Sequence, residues 1–552
     1  MTSISVGNTS KQNLFILLAL LACCLLPFLN KAFHIDDPSF VGMARHIQEY
    51  PLDYYGFYMQ FSPPVITNPP LIAYLIAIPG SIFGYSEFAL HTFFILPAMA
   101  VVWGTWLLAS DMSVDPFVSA LATICAPVFI LSSTTVMCDV PMLAFWVFAI
   151  FFWRKGIREG RRGMLAASSL MITLCVLTKY MGICLVPLLL AYTIAEKRKA
   201  GEWILYLLLP IIALLLFDQI TYMKYGLRQI SFIESWSSYN QNSSVRNYYA
   251  KTVSGLAFLG GCILAHFVYF ISRTRWVNTA IYLSAIAAIL LILLMNDYLD
   301  YFPVAGADGI NWSFVAQFPI FVFAGVSFFQ MLLAVLFSGR NPDSILLFLW
   351  ISGVFVFAVF INWTINGRTI LPIVPAAGIL LARFYVSNNS FTPLNRALLY
   401  ISILFSLGIS LAVTSADTAF ANNAQTAARA IRDITRSCPG NKWYEGHWGF
   451  EYYISETGDY KTLDYEKPGL KKGDTVIIPD TNTHTKPLYK NLALVREVYA
   501  YNLSGFFSTM SLVRGSGFYS DVAGPLPYAL GSASENYYEY EVIADKNSRF
   551  SY

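Results

Sequence analysis

Apolar runs recur along the chain from about residue 13 to residue 415, separated by short polar breaks. A helix needs roughly 20 mostly apolar residues to cross a bilayer. Windows of that length predict about thirteen spans. They lie at 13–30, 69–84 with 88–109 (one span plus a flanking segment), 115–134, 139–154, 164–180, 183–195, 202–220, 252–271, 277–295, 314–337, 344–361, 369–385 and 396–415. After residue 416 the pattern changes: the chain becomes charged and rich in Gly and Tyr, with no spanning run. There "TVIIP" (475–479) and "YYEYEVI" (537–543) read as strands. Residues 417–436 read as an amphipathic helix through Phe420, Ala424, Ala427, Ile431 and Ile434. The expected architecture is a polytopic α-helical membrane protein, with a transmembrane part over 1–416, a first outer loop over 31–67 and a small C-terminal α/β domain over 417–552.

Composition agrees with the pattern. The 552 residues are 56% hydrophobic and 12% charged, about half the charge of a soluble chain. A net charge of +3 without a long basic block gives no sign of a nucleic-acid partner. Most of the eight cysteines sit in apolar runs, only Cys438 lies in polar sequence, and no CxxC metal spacing occurs. The run 14–29 has the length of a signal peptide, but with a lone Lys11 before it and many spans after it an uncleaved first helix is expected.

Loop charge orients the spans. "RKGIREGRRG" (154–163), "EKRKAGE" (196–202), "SRTRW" (272–276), "SGRNPD" (338–343) and 383–396 are short and mostly basic, so they are expected in the cytoplasm. The loop 296–311 has three Asp and no Lys or Arg. It is expected outside with 31–67, 221–250 and, by the odd span number, the C-terminal domain. The loop 111–115 is an exception, inside by count yet without basic residues.

Candidate chemistry lies at the outer span ends. In "FHIDDPSFVGMARHI" (33–47), two aspartates follow the first apolar run. Asp37 before Pro38 reads as a helix N-cap with Pro at the first helical position. Asp36 lacks that explanation, and a carboxylate at the membrane border is a functional candidate. Asp139, in "CDVPMLAFWVF", is either another N-cap or a second functional acid. Lys179 in "LTKYMG" and Arg368 in "NGRTILPIVPAAG" lie at the same level. Each either snorkels to the interface or binds an anion such as a lipid phosphate.

The ordered set of Asp36-Asp37, "TNPPLIAYLIAIPGSIFG" (67–84), "CDVPMLAFWVFAIFFWRKG" (138–156), "LTKYMG" and "RTILPIVPA" (368–376) resembles the polytopic GT-C glycosyltransferases. Within that superfamily it is similar to the protein O-mannosyltransferases and the lipid A aminoarabinose transferase, and "YEGHWGFEYY" (444–453) is similar to the outer domain of bacterial members. The resemblance implies a bacterial inner-membrane enzyme that moves a hexosyl or pentosyl group from a polyprenyl-phosphate donor to a lipid, glycan or protein acceptor on the outer face. It implies catalytic roles for Asp36, as base, and Asp139. It implies substrate-binding roles for Asp37, Asn68, Lys179 and Arg368. Asn68 is a departure, because relatives often carry Lys or His before Pro-Pro. One base with direct displacement implies inversion. No cofactor is certain; a divalent metal held by Asp36, Asp139 and Asp297, Asp300 or Asp308 stays open. The alternative is a polytopic transporter, against which stand the lack of a clear internal repeat and the outer placement of the polar residues. The "GHWGFEYY" aromatics either stack on sugar or form a domain core, the commoner fate.

Overall fold

The structure, a computed structural model, describes residues 3–59, 68–199, 201–242, 248–268, 301–306, 309–339, 341–386, 392–463, 469–483, 485–502 and 505–544. Among these, nine helical stretches are long and apolar enough to cross a membrane. The expected class, a polytopic helical protein with a strand-containing C-terminal region, is the observed one. The span predicted at 277–295, the end of that at 252–271, the loop 272–276 and the acids Asp297, Asp300 and Asp308 lie outside the described residues.

Local chemistry explains where elements differ from the expected ones. The unit at 69–109 is two helices, Leu71–Phe83 and Glu87–Asp111. Gly84, at φ +81°, reverses the chain between them, and the Ser86 hydroxyl caps the second by accepting from the Ala89 amide. The span at 115–134 breaks into Pro116–Ile124 and Pro127–Ser132, because Pro127 cannot continue a helix through Ala126. The span at 396–415 and the helix at 417–436 are one element, Pro393–Ile434. Asp417 does not end the span because its carboxylate is neutralised inside the protein by Lys31 at 2.6 Å. Position 416/417, where the composition changes, therefore lies within a continuous helix.

Small residues set the tightest helix contact. Helices Tyr248–Cys262 and Trp312–Gly339 cross at Gly260 and Gly325. A Cβ on Gly260 would stand 2.0 Å from the Phe321 carbonyl, and one on Gly325 would stand 2.2 Å from that of Leu256. Such backbone-to-backbone approach is the usual device for packing helices in lipid.

The C-terminal region carries a five-stranded sheet in the order 460–462, 442–444, 475–479, 534–542, 493–502. The two strands expected from sequence are antiparallel neighbours, Tyr540 opposite Val476. Leu463, Leu470, Val476, Ile478 and Val542 form a small core of its own. Among the segments that fasten this region to the helices, two lie beside the first loop and the turn before Arg368. Helix Trp448–Ile454 docks on the first loop: the Phe33 amide donates to the Tyr453 hydroxyl at 2.8 Å, and that hydroxyl donates to Glu87 at 2.8 Å. Phe450 and Tyr453 are buried here. The "GHWGFEYY" aromatics thus contribute a packed seam. Further on, the Gly367 amide donates to the Phe518 carbonyl at 2.8 Å, and Asp521 accepts from the Ile365 amide at 2.9 Å and from Thr364 Oγ1 at 2.6 Å.

The crossing at Gly260 yields a paired prediction. Gly260→Ala is expected to cost about 1–3 kcal/mol by overpacking, read as a lower unfolding midpoint in detergent. Gly353→Ala, in a helix where nothing lies within 4 Å of the added carbon, is expected to keep or raise the midpoint. Equal midpoints for the two variants would contradict the tight crossing.

Candidate active site

The paired aspartates diverge because the chain reverses before them. Ile35 holds φ +50°, a left-handed conformation rare for a β-branched residue. Asp37 then turns inward, fully buried, accepting the His34 amide at 3.0 Å and the Val136 amide at 2.8 Å. It caps no helix amide with its side chain, as the sequence suggests it should; it ties the first loop to the turn before Asp139. Burial pushes its carboxyl up to about 7, against the attraction of Lys31 and the two amide bonds. Neighbouring His34 is held neutral, pushed down to about 3 by burial.

Asp36 points the other way, into a line of alternating charge. Arg368 Nη1 donates to Asp36 Oδ2 at 2.5 Å and lies 4.0 Å from Asp139 Oδ2. Lys179 Nζ donates to Asp139 Oδ1 at 2.6 Å. Each member comes from the end of an element. Asp139 opens helix Asp139–Glu159, where the positive end of the helix dipole favours an acid. Lys179 follows helix Arg162–Thr178 in extended conformation. Arg368 sits in the first turn after Asn366, whose side chain caps the Thr369 amide. Four of the six residues singled out from sequence are thus brought together across up to 332 positions of separation, Asp36 to Arg368.

Exposure separates the four. The Asp36 side chain is 42% exposed, Arg368 15% and Asp139 1%. Lys179, at 19%, is also reachable. Among the described residues Arg368 Nε and Asp139 Oδ2 have no hydrogen-bond partner. Two cations and one carboxylate therefore border solvent, with the buried Asp139 beneath between them. Asn68 is half-buried and its carbonyl accepts the Tyr55 hydroxyl at 2.8 Å.

The sequence reading missed a second layer. The Tyr519 ring lies 5.4 Å from the Arg368 guanidinium carbon. Its hydroxyl donates to Asp417 Oδ2 at 2.8 Å; Thr509 donates to Oδ1 at 2.8 Å, and Lys31 completes the buried set at 2.6 Å. Asp417 had a signal, a lone acid following an apolar run. Tyr519, in a Gly-rich tail, had none. Among the described residues no group of three or more His, Cys, Asp or Glu is placed to hold a metal ion. Arg368 already stands between the two carboxylates, so Asp36 and Asp139 present a donor set matched to a guanidinium rather than to a divalent cation.

Residues 67–222 match the family model for dolichyl-phosphate-mannose-protein mannosyltransferase. Over that stretch the resemblance read from the motifs at 67–84, 138–156 and 177–182 is borne out. The matched stretch carries Asn68, Asp139 and Lys179. Among solved structures, the chain is similar to ArnT from Cupriavidus metallidurans bound to undecaprenyl phosphate, at 13% identity over 84% of this chain and 92% of that one, TM-score 0.45. It is also similar to the Archaeoglobus fulgidus oligosaccharyltransferase, at 12% identity over 81% and 63%, TM-score 0.43. The S. cerevisiae Pmt1-Pmt2 complex bound to the sugar donor matches at 17% identity over 39% and 34%, TM-score 0.32. No curated protein sequence matches the chain.

The buried Asp37 yields a pH prediction. Its carboxyl binds a proton more tightly in the fold than in the unfolded chain, from the ordinary 3.8 to about 7. Its contribution to stability is therefore full below the unfolded value and is lost as pH rises through about 7. Asp37→Asn is expected to flatten the pH dependence of the unfolding midpoint across that window. It is also expected to lower the midpoint throughout, since its amide would face two backbone donors. An unchanged slope would contradict the assignment.

Proposed function

We propose that the protein is a membrane glycosyltransferase that moves a sugar from a polyprenyl-phosphate donor to a hydroxyl of a lipid, glycan or protein acceptor on the extracytoplasmic face of a bacterial inner membrane. The observation that carries this reading is the line Asp36–Arg368–Asp139–Lys179, set where helix ends meet the first loop. The basic residues Arg158, Arg161 and Arg162 stand at the opposite end of helix Asp139–Glu159. That supports an extracytoplasmic site by the positive-inside rule.

In this reading Arg368 and Lys179 receive the donor phosphate, for which a guanidinium is a good planar partner. The phosphate competes with Asp36 for Arg368 and so releases that carboxylate when the donor is seated. The freed Asp36 takes the acceptor hydroxyl proton while the acceptor oxygen attacks the anomeric carbon from the face opposite the phosphate. The bond from that carbon to the phosphate oxygen breaks, its electron pair leaves with polyprenyl phosphate, and configuration inverts. Polyprenyl phosphate needs no protonation to depart, so a single base suffices. Asp139, nearly without exposure, positions the two cations. The Tyr519 ring, fixed through its hydroxyl by Asp417, backs Arg368.

The test is transfer by purified protein from a panel of radiolabelled polyprenyl-phosphate sugars to membrane extract. Asp36→Asn is expected to lose the contribution of a general base, about 10²–10⁴-fold, while still binding polyprenyl phosphate. Lys179→Met is expected to weaken donor binding. Full activity in Asp36→Asn would remove it as base. Solute movement across reconstituted vesicles without donor consumption would favour a transporter.

A further inference from the structure

The C-terminal region also meets the membrane helices at the start of helix Trp312–Gly339. This helix is among those long and apolar enough to span. Its residues Trp312, Ala316 and Ile320, at i, i+4 and i+8, are exposed, and such a spacing forms one stripe on a helix. On a spanning helix that stripe faces lipid. Tryptophan at its end marks the interface, where aromatic belts lie.

A turn of the C-terminal region is seated on this same end. Asn311 Nδ2 donates to the Val513 carbonyl at 3.0 Å. Gly515, at φ +73°, closes on the neighbouring chain so tightly that a Cβ would stand 2.7 Å from Pro303 and 2.9 Å from Phe314. Further into the helix, the Leu530 amide donates to Gln317 Oε1 at 2.8 Å. The turn is therefore held rigidly beside the stripe. Its side chains are the wrong kind for water: Leu512 and Val513 are exposed, Val513 to 78%, as are Phe506 and Leu530 beside it. Arg514 follows, half-buried, its Nε donating to the Ser532 carbonyl at 3.2 Å.

We propose that the turn 511–514 is a membrane anchor: it places Leu512 and Val513 in the apolar border of the leaflet on that side, with Arg514 at the depth of the lipid phosphates. Lipid is the occupant because the patch continues an exposed stripe of a spanning helix. A large apolar tip beside a cation is also the pattern of an interfacial segment. The same segment carries Phe518 and Tyr519 to Gly367 and Arg368. Anchoring the turn thus sets the height of the Tyr519 ring against the bilayer.

The test uses the full chain with Cys438→Ser and a single added cysteine, Val513→Cys, carrying an environment-sensitive NBD label. The protein is reconstituted in phosphatidylethanolamine and phosphatidylglycerol vesicles, with and without brominated acyl chains, and the labelled Cys438→Ser parent is subtracted. Asp459→Cys, at an exposed turn of the sheet region, serves as the control. The label at 513 is expected to emit blue-shifted and to lose intensity to brominated chains, while that at 459 does neither. Water-like, unquenched emission at 513 would overturn the proposal. So would a blue shift without lipid quenching in a self-associated sample, which would mean that a second copy covers the turn.

Discussion

A guanidinium between two carboxylates, at the edge of a region that excludes water, is the constraint on which the rest of this protein turns. Charges in such surroundings are costly unless compensated, and Arg368 balances Asp36 and Asp139 only if three distant segments end at one point. The first loop at Asp36, the helix beginning at Asp139 and the short turn opening at Gly367 all do so. Removing one partner from a buried pair typically costs about 3–5 kcal/mol. The arrangement therefore ties helix positions to site geometry, and a shift in any of the three is felt at the charges.

A second buried pair, Lys31 with Asp417, repeats the device one layer back. It lets the long helix Pro393–Ile434 pass from the spanning part into the C-terminal region without a break. It also fixes the start of the first loop, which the left-handed Ile35 then turns so that Asp36 and Asp37 part. One carboxylate is used up holding backbone amides and the other is left available. Strain at Ile35 is offset by the amide bonds to Asp37 and by Tyr453, which accepts from the residue two before it. Strain concentrated at such a point is typical of positions where geometry serves a site.

The C-terminal region is consequently part of the site's construction. It contributes Tyr519 to Arg368, the Phe518 carbonyl to the Gly367 amide, and the Tyr453 hydroxyl to the first loop. These bonds fasten both the loop and the turn that carry the charges nearest to solvent. A flexible tether between the two regions would leave those contacts to chance encounter.

The membrane class, most helices and the two paired strands were legible in the sequence, because apolar run length and alternation are local properties of consecutive residues. So was the placing of Asp36, Asp139, Lys179 and Arg368 at span ends, since a charge bordering an apolar run is visible in one dimension. Which charges meet was not legible. Asp36 finds Arg368 332 positions away, and Lys31 finds Asp417 386 positions away. Only packing of the helices decides such pairs, just as only the Ile35 reversal decides which of two adjacent aspartates is buried. Local pattern determines what crosses the membrane; the need to neutralise charge away from water, met by partners remote in sequence, determines where the charged side chains gather.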